Sequence, residues 1–258
     1  MSATQSRVMR EIAVWGSIVF VEAIGSSATD LNAGIDECQA FFELVDEVFS
    51  TYKESSEVSR LRRGEIVIAD CCDDLQEVWQ LSLRAKALTF GSFDPWAVIG
   101  GFDPSGYVKG WASDHAINIL KSRGAKCVQI NAAGDLSLAG GNIVDEELIP
   151  WKIGIRHPEQ AHTIVKMIEI YDGAIATSGT YERGAHIRDP HTGLIAIGAR
   201  SATVIGPDGG LADALATALI VAGRDGALWF SQDELKAYSA WVIDRIEDQV
   251  WSIGPYSH

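Results

Sequence analysis

Residues 126–177 read KCVQINAAGDLSLAGGNIVDEELIPWKIGIRHPEQAHTIVKMIEIYDGAIAT, and this stretch decides the fold. Apolar, β-branched runs predict strands over Lys126–Asn131, Leu136–Ala139, Trp151–Arg156, Thr163–Ile170 and Ala174–Thr177. The helical patterns lie mostly upstream. Leu31, Ile35, Cys38, Phe41, Phe42, Val45 and Val48 recur at three- and four-residue steps, with Thr29 or Asp30 as the cap. A second helix is predicted from about Leu75 to Leu88 and a third near Val108–Leu120. Downstream come a strand over Ala199–Ile205, a helix over Leu211–Ala222, a short helix around Ala227–Phe230 and a last strand near Ala237–Ile243. At the start, Ile12–Glu22 reads as one buried strand, with Gly16–Ser17 marking a place where a backbone or ligand comes close. Helices early and strands later, without regular strand–helix–strand alternation, indicate an α+β architecture with mixed sheets and packed helices. No linker divides the 258 residues, so the expectation is one domain, or two closely joined lobes.

Apolar residues make up 47% of the chain and charged residues 22%, the balance of a soluble globular protein. The formal net charge of −14 argues against nonspecific nucleic-acid binding and against an anionic membrane surface. An anionic ligand would need a local arrangement of metal, backbone amides or placed cations. The N-terminus lacks the apolar run of a secretory signal, and no segment approaches the roughly 20 apolar residues that span a bilayer. Four cysteines, Cys38, Cys71, Cys72 and Cys127, form no CxxC pair, which points to reduced thiols in a cytoplasmic protein.

Four stretches carry chemistry. In LADALATALIVAG (211–223), Asp213 and Thr217 stand four apart and project from one helix face, a hard-oxygen pair suited to magnesium. The alternative places Asp213 in the first turn, favoured only by the helix dipole. In FDPSGYVKGWASD (102–114), Gly106 and Gly110 bracket Lys109 where loop passes into helix, so amides and a cation face an anion, or the stretch is a bare junction. NAAGDLSLAGG (131–141) is a tight hairpin or a place where a flat ligand meets bare backbone. TSGTYERGAHIRDPHTG (177–193) gathers hydroxyls, carboxylates, arginines and histidines in a turn-rich segment. There His186 is a structural histidine or a general base, with Asp189 three residues on. No GxSxG elbow accompanies it. Trp96, Trp111 and Trp151 read as core rather than stacking platforms.

Taken in order, SEVSRL (56–61), SFDP (92–95), FDPSGYVKGWA (102–112), NAAGD (131–135), WKIGIRHP (151–158), ATSGTYER (176–183), HIRDPHTG (186–193) and ADALATAL (212–219) resemble the FAD:protein FMN transferases, the ApbE-like family. The resemblance runs from about Gly16 to Gly223 and implies a T-fold-related architecture. It implies an enzyme that binds FAD with magnesium, splits the pyrophosphate, joins FMN to a threonine or serine hydroxyl of an acceptor protein and releases AMP. By the family pattern Asp213 and Thr217 ligate the metal, with a backbone oxygen at Gly106. Tyr52 lies against the flavin, Ser92, Phe93 and Asp94 hold it, Asp103 and Lys109 contact the adenosine and phosphate end, and Ile187 packs on the cofactor. His186 is then the base, and Asp189 orients it or supports the turn. Arg183 and Arg188 are phosphate partners or surface cations. Ala133 stands where a glycine is common. Magnesium-dependent FAD hydrolysis and noncatalytic flavin carriage are the rival readings.

Overall fold

The computed structural model describes residues 5–160, 162–179, 187–245 and 249–256. Strands β1 (Ser6–Val14) and β2 (Ser17–Gly25) open the chain. Helices α1 (Ala28–Phe49), α2 (Glu57–Arg62), α3 (Asp73–Leu88) and α4 (Ser105–Ser122) follow. Then come β3 (Ala125–Ala132), β4 (Asp135–Ala139), β5 (Asn142–Val144), β6 (Glu147–Ile149), β7 (Trp151–Arg156), β8 (Ile164–Ile170) and β9 (Gly173–Gly179). The chain continues through β10 (Ala199–Gly206), α5 (Gly209–Ala222), a 3-10 segment over Gly223–Ser231, β11 (Ser239–Asp244) and β12 (Val250–Ile253).

Eight strands form one sheet in the order β1-β2-β3-β4-β9-β10-β11-β12, while β5–β6 and β7–β8 are separate hairpins. The α+β class holds. The sheets are not mixed in strand direction: every pairing among the described residues is antiparallel. Part of the reason is local, because the tight turns of β1–β2, β3–β4 and β5–β6 can join only antiparallel neighbours. Two such turns are built on paired positive-φ residues. Trp15 and Gly16 both take positive φ (56° and 66°) and split Ile12–Glu22 into two paired strands, so Gly16 makes a hairpin rather than a ligand approach. Ala133 and Gly134 do the same between β3 and β4, with φ of 58° and 106°.

Period-two alternation divides the sheet into two faces. Ala23, Val128, Ala139, Ala176 and Val204 belong to the core shared with the helices. Their neighbours Ile24, Cys127, Leu138, Ile175 and Ile205 face Trp151, Ile155, Ile168 and Ile170 of the β7–β8 hairpin. Alanines on the helix side allow close approach. Helix α5 is apolar on nearly all sides, with Leu215, Leu219 and Ile220 fully buried, and each such side chain contributes about 1.5–3 kcal/mol.

Helix α1 is capped by the Ser27 hydroxyl, which accepts from Asp30 N–H at 3.2 Å, so the cap is Ser27 and not Thr29 or Asp30. The last predicted strand is β11, two residues later than expected at its start; β1, β5, β6 and β12 were not anticipated. Trp111 and Trp151 are buried and Trp96 partly so, in keeping with core roles. Among the described residues no helix is long and apolar enough to cross a membrane.

Candidate active site

Helix α5 starts two residues earlier than its apolar period suggests. Its cap is Asp208, whose carboxylate accepts from Leu211 N–H at 2.7 Å. The Asp114 carboxylate of α4 accepts from Gly209 N–H at 2.7 Å and from the Ser137 hydroxyl at 2.6 Å. Burial is the main cause that pushes the Asp114 carboxyl up to about 6. With these two acids at the helix terminus, Asp213 falls beyond the first turn and has no capping task. It is buried all the same.

Thr217 lies one turn on, and the Ser178 hydroxyl of β9 is 3.1 Å from its hydroxyl. Gly106 approaches from α4: a Cβ there would lie 3.6 Å from Thr217 Oγ1 and 3.3 Å from the Phe93 ring. Gly106 itself departs from helical geometry (φ −84°, ψ 20°), so the helix is kinked where it meets the site. Lower on α4, a Cβ on Gly110 would overlap the Gly209 carbonyl, so glycine there lets the two helices touch backbone to backbone. That contact fixes Lys109. Its ammonium donates to Asp135 Oδ2 and stands 3.9 Å from Asp213 Oδ2.

Asp135 was not singled out by the sequence reading, although a signal was present. In DLSLA, Asp135, Ser137 and Ala139 alternate with Leu136 and Leu138, which puts both polar residues on the helix face of β4. Asp135 pairs with Lys109 and Ser137 with Asp114. Asp135 Oδ1 also accepts from Thr177 N–H at 3.3 Å, next door to Ser178.

The second part of the site lies around the end of α3. Ser92 and Phe93 are buried, and Phe93 N–H donates to the Thr89 hydroxyl at 3.1 Å. The Asp94 carboxylate binds Lys86 at 2.7 Å and accepts from Trp96 N–H at 3.0 Å. Gly91 (φ +84°) brings this segment against the turn after Ile187, since a Cβ there would lie 3.3 Å from His191 Cε1. A cleft of about 530 Å³ opens between them, lined among others by Lys86, Phe90, Asp94 and His191.

In that turn both Asp189 oxygens are engaged, one by His191 N–H and one by the Thr192 hydroxyl, each at 2.8 Å. Burial raises its carboxyl but is outweighed by these donors and by the His191 charge, so it sits below the ordinary carboxylate range. The Arg188 guanidinium donates to Gly193 O at 3.0 Å, within the same turn. Ile187 packs partly buried against the main core. Asp103 is engaged by Ser105 at the start of α4, with Arg62 3.9 Å away. Tyr52 is 96% exposed on the loop after α1. Residues 180–186, including Arg183 and the expected base His186, lie outside the described residues.

Of the motifs that matched in order along the chain, SFDP, FDPSGYVKGWA, NAAGD and ADALATAL meet here with Ser178 of β9, while WKIGIRHP lies in β7 on the other face of the sheet. The sequence model of the ApbE family matches residues 100–241, more than half of the chain. The chain belongs to the ApbE family. An FAD:protein FMN transferase of Rhodobacter capsulatus is 36% identical over 132 residues, which cover 48% of this chain and 24% of that protein. One from Vibrio cholerae is 35% identical over 133 residues, covering 48% of this chain and 39% of that protein. In these matches the chain spans well under two thirds of either relative's length. The solved flavin transferase ApbE of Vibrio cholerae superposes with a TM-score of 0.81 over 98% of both chains at 22% identity, a likeness of fold alone.

The donor set fits magnesium. It combines the Asp213 carboxylate, the Thr217 hydroxyl and the Gly106 backbone, all hard oxygen. Among the described residues no group of three or more His, Cys, Asp or Glu gathers around a metal position. A sparse set of this kind is what an ion that keeps waters and phosphate oxygens takes.

Proposed function

We propose that this ApbE-family chain is a magnesium-dependent flavin transferase that moves FMN from FAD to a threonine or serine hydroxyl of an acceptor protein. The observation that carries the reading is the meeting of Gly106, Lys109, Ser178, Asp213 and Thr217, from three separate elements, in one oxygen-rich corner that includes the Lys109 ammonium. The names of the relatives support the same activity.

Asp213 and Thr217, with the Gly106 carbonyl, would hold Mg²⁺, which when bound offsets negative charge on the diphosphate. Lys109 presents ammonium N–H donors to phosphate oxygens at the same corner. Ser92, Phe93 and Asp94 form the floor on which the flavin rests, with Ile187 beside it. Exposed Tyr52 closes over the ring, and Asp103 takes the adenosine end. His186 accepts the proton of the acceptor hydroxyl, a contribution of about 10²–10⁴-fold. The hydroxyl oxygen then bonds to the FMN phosphorus while the bond from that phosphorus to the bridging oxygen breaks and AMP departs. Asp189, with both oxygens engaged, keeps the turn after His186 in shape. The whole chain acts as a single transferase domain in this reading. All four cysteines are free thiols, which supports a cytoplasmic setting, with neither nucleic acid nor membrane as partner.

Incubation with FAD, Mg²⁺ and candidate acceptor proteins, followed by mass spectrometry, tests this. An FMN-sized gain on Thr or Ser, lost in His186→Ala, is the expected result. Release of FMN and AMP into solution without such a gain would make the protein a hydrolase.

A further inference from the structure

The guanidinium of Arg62, in the last turn of α2, reaches across to the loop that precedes α4. Its Nη2 donates to Ile99 O at 2.7 Å and its Nε to Gly100 O at 3.1 Å, a hold on two consecutive carbonyls. The loop fits this hold closely. Gly100 has φ +91°, and a Cβ there would lie 2.5 Å from Arg62 Nη2, so bare backbone passes against the guanidinium. The base of the loop is fixed separately. Asp103 N–H donates to Pro95 O at 2.8 Å, and the Phe102 ring lies 4.7 Å from Trp79 and 5.0 Å from Trp96.

These two anchors set Arg62 Nη1 3.9 Å from Asp103 Oδ2, with both side chains partly buried. That spacing is longer than a hydrogen bond. Among the described residues Nη1 donates to no other group, and Ser105 engages only Oδ1 of Asp103. A donor and an acceptor thus stand side by side, each with capacity left for a ligand. A phosphate only accepts, and it meets the repulsion of the carboxylate. A group that accepts from Arg62 and donates to Asp103 suits both. The adenosine half of a dinucleotide offers two such groups: a ribose hydroxyl, and the adenine edge where the 6-amino group adjoins a ring nitrogen.

We propose that Arg62 is a specificity-determining residue for the adenosine half of FAD, presenting its Nη1 donor beside the Asp103 carboxylate to a ligand group that both accepts and donates. The inference rests on the proposed function for FAD as the ligand, and adds to it a residue from α2. Arginine suits the task because its planar fork keeps donors aimed in two directions at once. One edge is spent on the Ile99 and Gly100 carbonyls, which leaves Nη1 directed at the ligand. A lysine would carry the charge but has no second edge to hold it in place.

The test titrates AMP and FMN separately into the full chain by calorimetry, with Mg²⁺ present. In Arg62→Gln, AMP is expected to bind about tenfold more weakly or worse, the loss of one charge-assisted hydrogen bond, while FMN stays within about twofold of wild type. A merely structural clamp would weaken both, because the same loop begins at Pro95, next to the segment under the flavin. Arg62→Lys should also weaken AMP by about threefold or more, which keeps the test available where Arg62→Gln does not fold. In wild type, 2′-deoxy-AMP, 3′-deoxy-AMP and inosine monophosphate locate the ligand group. At least one of the three should bind about tenfold more weakly than AMP, and that deficit should narrow in Arg62→Gln. AMP affinity within about twofold of wild type in Arg62→Gln, or in Arg62→Lys where the glutamine variant does not fold, overturns the inference. So does an equal loss of FMN affinity, or a wild type that binds all four nucleotides alike. A wild type that shows the expected pattern but leaves FAD intact sinks the proposed function and leaves the Arg62 role standing. FMN transfer by a chain whose AMP affinity ignores Arg62→Gln does the reverse, and a chain that binds neither AMP nor FAD sinks both.

Discussion

Ser178 Oγ lies 3.1 Å from Thr217 Oγ1, joining the end of β9 to the third turn of α5. The contact makes the two hydroxyls a pair in which either can donate to the other. Replacing Thr217 by valine keeps the shape and removes the oxygen. Stability should change by only about 1 kcal/mol, the worth of one neutral hydrogen bond. FAD turnover at fixed substrate should then require roughly tenfold more Mg²⁺, a step of about 1.4 kcal/mol in metal binding. A magnesium titration of initial rates that superimposes on wild type would remove Thr217 from the metal set.

Gly110 meets Gly209 with no room for a side chain. Gly110→Ala therefore forces α4 and α5 apart, and overpacking of this kind costs about 1–3 kcal/mol. For a chain of this size that lowers Tm by roughly 2–10 °C. Because Lys109 and Gly106 ride on α4, FAD turnover should fall more than the loss of folded protein explains. Equal thermal midpoints for variant and wild type would contradict the close approach.

The Asp114 carboxyl, pushed up to about 6 by burial, gives a pH dependence with a definite sign. Between the unfolded value near 4 and about 6, the folded chain holds a proton that the unfolded chain has released. Stability from this group is therefore present below pH 4 and is lost as pH rises through 6. Asp114→Asn removes the titration. Across pH 4 to 7 the stability of wild type relative to the asparagine variant should decline, by at most about 3 kcal/mol. Parallel denaturation curves at both ends of that range would count against it.

Burial raises the Cys38 thiol to about 12 and the Cys71 thiol to about 11. Neither carries much thiolate near neutrality, and the thiolate is the reactive form. Labelling of the native protein with a disulfide reagent at pH 8 should leave Cys38 and Cys71 largely unmodified until denaturant is added. Rapid modification of Cys38 in the native state would show that α1 does not pack as described.

Much of the site was legible as chemistry before it was legible as geometry. Asp213 and Thr217 could be paired from their spacing alone, because a helix places residues four apart on one face. What spacing left open was whether Asp213 merely served the helix terminus. The structure closes that question, since Asp208 and Asp114 occupy the terminus instead. Asp94, Asp103 and Asp189 were equally visible as residue types, yet their neighbours differ. Asp94 holds Lys86 and the Trp96 amide, Asp103 binds Ser105, and Asp189 is spent on its own turn.

The sequence by itself determined the local periods. It set the apolar stripe of α1, the buried character of α5, the succession of strands after α4 and the antiparallel consequence of short turns such as Ala133–Gly134. Those features follow from interactions between residues a few positions apart. Only the tertiary structure decided that Lys109 faces Asp135 across 26 residues, that Ser178 meets Thr217 across 39, and that Gly110 presses on Gly209. Such pairs depend on which sheet face the helices cover and how closely their backbones approach. Neither quantity is written in any short window of the chain.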